Sequence, residues 1–333
     1  MVPLDPIDPP NEFELIAALF APLAASAPEA LALTDDAALY ATSPGGQTVL
    51  TVDAMVEGVH FLPDDPAESV ARKLLRVSLS DLAAKGAAPK GYLLVTAWRD
   101  GTPLSWMRAF AAGLASDQQI FGIALWGGDT VRTPGPPSFT LTAIGEVPAG
   151  TMLKRGGARV GDGIYVTGTI GDAVLGLRAL RGGLVGLDKT HRDWLAGRYR
   201  LPEPRLAAGG ALRGIASGAL DISDGLMADL GHLCAVSGVG ARIELDRVPL
   251  SLAARAAVAL DGGLIEAIAG GGDDYEILFA AAPGREAEIA DIATETRTPI
   301  VRIGTVLPAG EGVNPVDAAG RPVAFKHLGY RHF

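Results

Sequence analysis

The sequence predicts an α/β (α+β) protein of two domains, an N-terminal mixed sheet with flanking helices and a C-terminal α/β domain. Three observations predict this class. The 333 residues leave room for two domains. A composition of 48% hydrophobic and 20% charged residues supports large buried cores. Strand-like and helix-like apolar patterns alternate along the chain, and a Gly-rich connection over 148–162 predicts a boundary between domains 1–150 and 151–333.

Apolar spacing divides the first half into helices and strands. An amphipathic helix is predicted over 11–23. The stretches 31–41 and 48–61 have the composition of strands, joined by a Ser-Pro-Gly-Gly turn. Apolar residues at helical spacing predict a helix over 66–85, namely Val70, Leu74, Val77 and Leu82. Further strands are predicted over 91–98, 123–126 and 138–147, and a further helix over 104–119.

The second half alternates in the same way, which predicts helices packed on another sheet. Strands are predicted over 163–167, 219–222, 241–245, 275–281 and 300–306. Helices are predicted over 172–180, 192–198, 205–216, 226–236, 251–269 and 285–295. The tail over 313–325 has the pattern of a hairpin with Asp-Ala-Ala-Gly as its turn.

Charge and cysteine content exclude several classes of protein. The formal charge is −10, and no Lys or Arg precedes Arg72, so we expect no nucleic-acid partner. With Cys234 as the only cysteine, disulfides within the chain and Cys-rich metal sites are excluded. No apolar run reaches about 18 residues, and the N-terminal flank lacks the cations of a secretory signal. We therefore expect no membrane partner and a cytoplasmic location.

Acidic residues occur within two positions of a Gly, Ser, Thr or another acid at six points, mostly where a strand is predicted to end. Carboxylates that converge repel each other by about 4 kcal/mol at 4 Å and an effective dielectric near 20, unless a cation lies between them. Hard divalent ions prefer oxygen ligands, so the pattern predicts several divalent cations and phosphate chemistry. The six segments are Thr34-Asp35-Asp36, Thr51-Val52-Asp53, Ser80-Asp81, Gly127-Gly128-Asp129-Thr130, Asp221-Ile222-Ser223-Asp224-Gly225 and Gly271-Gly272-Asp273-Asp274.

Each segment also has an ordinary structural interpretation. Gly127 and Gly128 allow backbone N–H groups to approach a phosphate, although they suit a tight turn equally. Ser223 or Asp224 suits a helix N-cap, and the helix N-terminus favours anions. Arg155 is either a phosphate clamp or a solvated loop residue. The usual signatures of nucleotide binding, Gly-x-x-x-x-Gly-Lys-Ser/Thr and Gly-x-Gly-x-x-Gly after a strand, are absent from the sequence.

Six motifs in order along the chain resemble those of the thiamine-monophosphate kinase family, within the aminoimidazole-ribonucleotide-synthetase-like superfamily. The resemblance implies a two-domain synthetase-like fold and a homodimer formed through the N-terminal sheets. It also implies direct in-line transfer from the co-substrate ATP to thiamine phosphate, with several Mg²⁺ ions. The motifs are Val56-Glu57-Gly58-Val59-His60-Phe61, Leu79-Ser80-Asp81-Leu82-Ala83-Ala84, Gly127-Gly128-Asp129-Thr130, Asp221-Ile222-Ser223-Asp224-Gly225-Leu226, Gly271-Gly272-Asp273-Asp274-Tyr275-Glu276 and Gly329-Tyr330-Arg331-His332-Phe333.

By position, the resemblance implies roles for fourteen residues in metal, ATP and substrate binding. The metal ligands it implies are Asp36, Thr51, Val52, Asp53, Asp81, Asp129, Asp221 and Asp224. ATP contacts are Gly128, Asp129, Arg155 and Ser223, and thiamine-phosphate contacts are His60, Asp273 and Tyr330. Asp53, Asp81, Asp129, Asp221 and Asp224 are the candidate catalytic carboxylates. The chain departs from the family pattern at Thr34, Val52, Ser78 and Asp273, where the family usually has Gly, a hydroxyl residue, Asn and Glu.

Two other interpretations remain at this point. The first is another ATP-using synthetase of the superfamily, of the selenophosphate or purine-pathway type, or a hydrogenase-maturation dehydratase. An N-terminal or C-terminal cysteine, which selenide and maturation chemistry require, is absent. The second is a non-catalytic Mg²⁺-nucleotide scaffold, against which the presence of all five candidate catalytic carboxylates argues.

Overall fold

The chain folds into two compact units with mixed α/β architecture, as the computed structural model shows for residues 11–325 and 328–330. The first unit contains residues 11–44, 50–78 and 89–146, and the second contains 45–49, 79–88 and the chain from 147 onward. The predicted fold class is confirmed. Among the described residues, no helix combines the length and the apolar character needed to cross a membrane.

The first unit is built on a four-stranded sheet of order β1-β4-β2-β3. Its strands are β1 (Gly46–Val56), β2 (Ala88–Arg99), β3 (Ala124–Thr133) and β4 (Ser138–Pro148). Its helices are α1 (Glu12–Leu15), a π-helical stretch (Ile16–Phe20), α2 (Ala21–Ala24), α3 (Ala67–Ala84) and α4 (Leu104–Phe121); the end of α3, from Leu79 onward, belongs to the second unit. Asn11 and Glu14 form a capping box at the start of α1, so each side chain satisfies a backbone N–H of the other.

An aromatic cluster forms the core on one face of this sheet. Trp98 packs edge-to-face on Phe110 and Phe139, and those two rings are tilted against each other, with ring centroids 4.5–5.4 Å apart, as aromatic side chains prefer. Helices α3 and α4 approach closely at Gly113, where an added Cβ would lie 2.4 Å from the carbonyl oxygen of Glu68. The core of this unit is therefore held by large rings and by close helix packing.

The second unit contains a six-stranded sheet of order β10-β7-β9-β5-β8-β6. β5 pairs antiparallel with β8 and β9, β6 with β8, and β7 with β9, whereas β10 runs parallel to β7. The strands are β5 (Gly163–Thr167), β6 (Ala216–Asp221), β7 (Val239–Glu244), β8 (Ile277–Ala281), β9 (Ile300–Pro308) and β10 (Val313–Val316). Strands β5 and β8 are buried along their whole length, because helices cover both faces of the sheet.

Seven helices accompany this sheet in the described chain. They are α5 (Asp172–Leu180), α6 (Lys189–Arg200), α7 (Leu206–Ala211), α8 (Leu226–Ser237), α9 (Leu252–Leu260), α10 (Leu264–Gly270) and α11 (Glu286–Glu295). Leu226, Leu230 and Leu233 direct one face of α8 into the larger core, while Ile289 and Ile292 of α11 line the smaller core. The elements predicted for this half of the sequence all occur, with boundaries shifted by a few residues.

Three predictions for the first half are wrong. The stretch 31–41 is not a strand, because Leu31, Ala32 and Leu33 adopt left-handed φ values of 48–58° that interrupt an extended chain. Strand β1 ends at Val56 rather than at 61, since a turn follows. The predicted short strand over 123–126 continues through the Gly-Gly-Asp-Thr segment to Thr133, so that segment is not a loop.

Candidate active site

Asp221 is the last residue of β6 and has a specific hydrogen-bond partner from the end of α3. Its side chain is buried, and its Oδ2 accepts a hydrogen bond of 2.7 Å from the hydroxyl of Ser80. Ser80 is itself fully buried. A buried carboxylate held by a hydroxyl donor keeps one geometry, which suits a residue that must present its other oxygen to a metal.

A lysine lies beside the same carboxylate. The ammonium group of Lys85 donates to the carbonyl oxygen of Ala219 at 2.9 Å. Burial lowers the pKa of Lys85, while the nearby carboxylates of Asp221 and Asp81 oppose that shift and the Arg155 guanidinium adds to it. Within the second unit, the structure therefore brings together three predicted site residues, Asp81, Arg155 and Asp221, with Lys85 among them.

The turn between β6 and α8 is organised by an acid that the sequence motifs did not mark. The backbone N–H groups of Ser223, Asp224 and Gly225 donate to one oxygen, Oδ2 of Asp229, at 3.0–3.1 Å. Burial raises the pKa of Asp229 to about 6, against the lowering effect of these hydrogen bonds. These three N–H groups precede α8 and are satisfied by Asp229, while the expectation that the N-terminus of α8 favours anions stays a prediction.

The carbonyl groups of the same turn accept hydrogen bonds from predicted substrate-binding segments. The carbonyl oxygen of Ser223 accepts from the N–H of Asp273, and that of Asp224 accepts from the N–H of Tyr330, both at 2.9 Å. The N–H of Tyr275 donates to the carbonyl of Ile222 at 2.8 Å. Backbone hydrogen bonds therefore join Ser223 to Asp273 and Asp224 to Tyr330, so these four predicted site residues lie in adjoining segments.

The segment 271–276 has a strained backbone. Asp273 and Tyr275 have φ values of 72° and 52°, a conformation that residues other than Gly rarely adopt. Between them, the buried Asp274 accepts hydrogen bonds from the N–H groups of Gly171 and Ala173 at the start of α5, and burial raises the pKa of its carboxyl group. Strain that persists beside candidate ligand residues indicates a geometry selected for function.

In the first unit, the predicted metal ligands of β1 and β3 lie within strands. Thr51 and Asp53 are half-buried residues of β1, which continues three residues beyond Asp53. Asp129 is exposed in β3, and its Oδ1 accepts from the N–H of Thr130. An added Cβ at Gly128 would lie 1.8 Å from the carbonyl oxygen of Leu94, so the neighbouring strand alone explains that glycine.

The remaining first-unit residues lie in turns. Asp36 is exposed, and its N–H donates to Oδ1 of Asp35 at 2.8 Å. The chain after Asp36 is held by Glu146, whose carboxylate accepts hydrogen bonds from the hydroxyl of Tyr40 and from the N–H and hydroxyl of Ser43. These hydrogen bonds lower the pKa of Glu146 to about 2.

His60 lies in the turn after β1 rather than in a strand. Its Nδ1 accepts a hydrogen bond from the N–H of Val56 at 3.1 Å, which fixes the orientation of the ring. With Nδ1 used as an acceptor, a neutral imidazole carries its proton on Nε2. An N–H donor on an imidazole is the kind of group that binds an anionic substrate.

The donor chemistry of the candidate ligands fits a hard divalent cation. Their side chains contribute carboxylate and hydroxyl oxygens, and Val52, which is exposed, contributes only its carbonyl. In the second unit, donor atoms of Asp224, Asp229 and His232 lie within 4.8 Å of one another, but an oxygen of Asp229 is already used by the turn. Mg²⁺ prefers such oxygen ligands, and Asp81, Asp221 and Asp224 can supply them in this unit.

Comparison with known proteins identifies the family. Residues 34–147 match the model of the AIR synthase related protein N-terminal domain, and residues 159–315 match that of the C-terminal domain. A thiamine-monophosphate kinase of Caulobacter vibrioides is 43% identical over 327 residues, which cover 97% of this chain and 91% of that protein. The chain belongs to the thiamine-monophosphate kinase family. This membership confirms the resemblance inferred from the motifs.

Solved structures of thiamine-monophosphate kinases have the same fold. The crystal structure of the Stenotrophomonas maltophilia K279a enzyme is 37% identical, covers 87% of this chain and 91% of its own, and superposes with a TM-score of 0.79. A structure described as AaThiL complexed with AMPPCP and TMP is 27% identical, covers 97% of both chains and has a TM-score of 0.76. The likeness to the second structure extends over nearly the whole chain.

Three residues of this family member were not selected as site residues from the sequence. Ser80 occurs in a quoted motif, but its spacing indicates only a helix. Lys85 follows that motif without any feature that marks it. Asp229 lies four residues after Gly225, a spacing that allows a first-turn side chain to fold back onto the turn, and this was the one available signal.

Proposed function

We propose that this chain transfers the γ-phosphoryl group of ATP directly to the phosphate of thiamine monophosphate, giving thiamine diphosphate and ADP. The observation that carries the proposal is the hydrogen-bonded junction of Ser223 and Asp224 with Asp273 and Tyr330, in a chain 43% identical to a thiamine-monophosphate kinase. The likeness over 97% of the chain to a structure complexed with AMPPCP and TMP supports the same pair of substrates.

Eight positions would hold Mg²⁺ through oxygen. They are Asp36, Thr51, the carbonyl of Val52, Asp53, Asp81, Asp129, Asp221 and Asp224. Bound Mg²⁺ neutralises charge on the phosphate oxygens and aligns them for in-line transfer. Of these positions, Asp53, Asp81, Asp129, Asp221 and Asp224 carry the carboxylates on which we expect turnover to depend most.

The ATP contacts contribute position and charge. The planar guanidinium of Arg155 can donate two parallel hydrogen bonds to a phosphate, which suits a phosphate clamp. Its exposed side chain has room to reach a ligand, and it lies near the carboxylates of the second unit. Gly128, Asp129 and Ser223 complete the ATP contacts.

His60, Asp273 and Tyr330 would bind thiamine monophosphate. The Nε2–H of His60 can donate to the substrate phosphate. The thiazolium ring carries a positive charge, so the carboxylate of Asp273 and the ring face of Tyr330 can both stabilise it. Tyr330 is about half exposed, and therefore its ring is accessible to a ligand.

Asp273→Asn is expected to raise the KM for thiamine monophosphate at least about 10-fold, with a smaller effect on kcat, because it removes charge from a binding contact. Asn is the suitable replacement because it tolerates the left-handed φ of 72° at this position better than Ala does. Steady-state kinetics with saturating Mg·ATP measure both constants. An unchanged KM would remove Asp273 from the substrate site.

The acceptor assay tests the proposed function. With ATP and Mg²⁺ present, the purified chain is expected to convert thiamine monophosphate to thiamine diphosphate with one ADP formed per product. Free thiamine, which lacks the acceptor phosphate, is expected to give no phosphorylated product. Consumption of free thiamine, or ADP formation independent of either acceptor, would contradict the proposal and favour another activity of the superfamily.

The chain would act as a homodimer through the open face of the first unit's sheet. Leu50 and Val52 of β1 are 65% and 61% exposed, and Leu93 and Val95 of β2 are about 40% exposed on alternate positions. Val131 of β3 is 43% exposed, and an apolar sheet face of this kind in water favours association. A second copy fits best, because a two-fold axis brings the same apolar patch onto itself.

Val95→Asp is expected to raise the dissociation constant of the dimer at least about 100-fold, which corresponds to about 2.7 kcal/mol. The two-fold axis buries the new charge twice at an apolar interface. Analytical ultracentrifugation measures the change, with Val185→Asp as the control because Val185 is 90% exposed in the second unit. A dimer of unchanged affinity in the Val95 variant would place the interface elsewhere.

The domain assignment belongs to the same proposal. We place ATP and Mg²⁺ binding and dimerisation in residues 1–150, and a second α/β domain in residues 151–333. The apolar sheet face supports the dimerisation role of the first domain. The cytoplasmic location stays a prediction.

A further inference from the structure

We propose that Asp229 is a positioning residue that fixes the turn over 223–225 and thereby couples the metal ligand Asp224 to the thiamine-phosphate contacts Asp273 and Tyr330. The inference rests on the proposed function, which assigns those three residues their roles. Asp229 itself touches neither substrate nor metal in this account. Its effect is exerted through the backbone of the turn.

The backbone of the turn donates several hydrogen bonds to the side chain of Asp229. Three consecutive N–H groups, those of Ser223, Asp224 and Gly225, point to Oδ2 of Asp229 at 3.0, 3.0 and 3.1 Å. Asp229 is 3% exposed, so water does not compete for this oxygen. Hydrogen bonds from neutral N–H groups to a buried carboxylate are among the stronger ones in proteins, and three of them define a turn closely.

Close packing around the turn prevents it from relaxing into another shape. Gly225 has a φ of 125°, and an added Cβ there would lie 2.9–3.0 Å from backbone atoms of Gly270 and Gly271. Beside it, a Cβ at Gly272 would lie 2.2 Å from the carbonyl oxygen of Ser223. The turn therefore fits only one backbone path, and the carboxylate of Asp229 satisfies the N–H groups that this path leaves without helical partners.

The opposite edge of the same turn contacts the predicted substrate-binding segments. Its carbonyl groups at Ser223 and Asp224 accept from the N–H groups of Asp273 and Tyr330. Gly329 packs against the turn as well, since an added Cβ would lie 3.1 Å from the carbonyl oxygen of Asp224 and 2.3 Å from the Cβ of Ala228 in α8. A displacement of the turn consequently moves a metal ligand and two substrate contacts together. The carboxylate of Asp229 thus fixes the positions of the metal ligand and of the two substrate contacts.

The test compares Asp229→Ala with Asp229→Asn in the full chain. Ala removes the acceptor, whereas Asn keeps one acceptor oxygen in nearly the same place. We expect Asp229→Ala to lower kcat/KM for thiamine monophosphate at least about 30-fold and to raise the Mg²⁺ concentration for half-maximal rate in parallel. Asp229→Asn is expected to recover at least about 5-fold of that loss.

Leu233→Ala is the matched control for loss of stability. Leu233 is a fully buried core residue of the same helix and does not contact the turn hydrogen bonds. This variant is expected to lower the melting temperature while both kinetic constants stay within about 3-fold of wild type. If Asp229→Ala behaved like Leu233→Ala, its role would be structural only and the inference would be wrong.

A readout without substrates separates this inference from the proposed function. Amide hydrogen exchange at residues 223–225 is expected to accelerate at least about 100-fold in Asp229→Ala and to stay near wild type in Leu233→Ala. Wild-type protein that fails to phosphorylate thiamine monophosphate would overturn the proposed function, whatever the exchange result. Unchanged exchange in Asp229→Ala, or a change in only one of the two kinetic constants, would overturn the coupling.

Discussion

Replacing Asp221 with Asn is expected to lower turnover at least about 100-fold, which corresponds to about 2.7 kcal/mol of transition-state stabilisation. The substitution preserves the size of the side chain and an oxygen that can accept from the hydroxyl of Ser80. It removes the negative charge that would hold Mg²⁺ at the end of β6. Because the metal stabilises charge on the transferred group, the loss is expected in kcat and not only in substrate affinity.

Steady-state rates over a Mg²⁺ titration measure this effect. Asp291→Asn provides the matched control, since Asp291 is an exposed residue of α11 and carries the same change of charge. The control is expected to retain wild-type turnover, and both variants are expected to keep the wild-type melting temperature within a few degrees. Near-normal turnover of Asp221→Asn would remove this residue from the metal site.

Glu276→Ala is expected to destabilise the protein by about 3–5 kcal/mol, because it removes one partner of a buried ion-pair network. Glu276 is fully buried just before β8. Its carboxylate accepts two bonds of 2.7 Å from the guanidinium of Arg205, one of 3.1 Å from Arg198 and one of 2.7 Å from the hydroxyl of Thr167. Removing it leaves two largely buried guanidinium groups without their carboxylate.

Urea unfolding of the variant and the wild type measures the difference. Glu286→Ala is the control, because Glu286 is exposed and pairs with Arg302 at 3.9 Å, a surface contact worth about 0–1 kcal/mol. If the free energy of unfolding of Glu276→Ala stayed within about 1 kcal/mol of the wild-type value, the two arginines would have found other partners. The predicted order of stability is wild type, Glu286→Ala and then Glu276→Ala.

Local sequence patterns predicted the elements of the second unit well. Helix α5 was predicted over 172–180 and is observed at Asp172–Leu180, because its apolar residues repeat at helical spacing. The stretch 31–41 failed because three consecutive left-handed residues depend on packing that no local pattern contains. The Gly127-Gly128 pair suggested a loop, but Gly128 is required by the approach of the neighbouring strand. A glycine in a sequence indicates that another group comes close to its backbone, but it does not identify that group.

In the candidate site as well, the sequence predicted some residues and missed others. The acidic motifs marked Asp221 and Asp224 because their residue types are unusual next to an apolar strand. Ser80 was not marked as a partner of Asp221, since the two residues are 141 positions apart and their hydrogen bond depends on the tertiary fold. Asp229 was missed for a different reason, because an acid in the first turn of a helix is ordinary until its side chain is seen to accept three N–H groups.

A crystal grown with Mn²⁺ in place of Mg²⁺, a non-hydrolysable ATP analogue and thiamine monophosphate tests the central claim most directly. Anomalous scattering locates each ion independently of the protein coordinates. The account predicts ions about 2.1 Å from carboxylate oxygens of Asp81, Asp221 and Asp224, and likewise of Asp53 and Asp129, with phosphate oxygens completing their coordination. Bound nucleotide with these carboxylates bare of metal would contradict it.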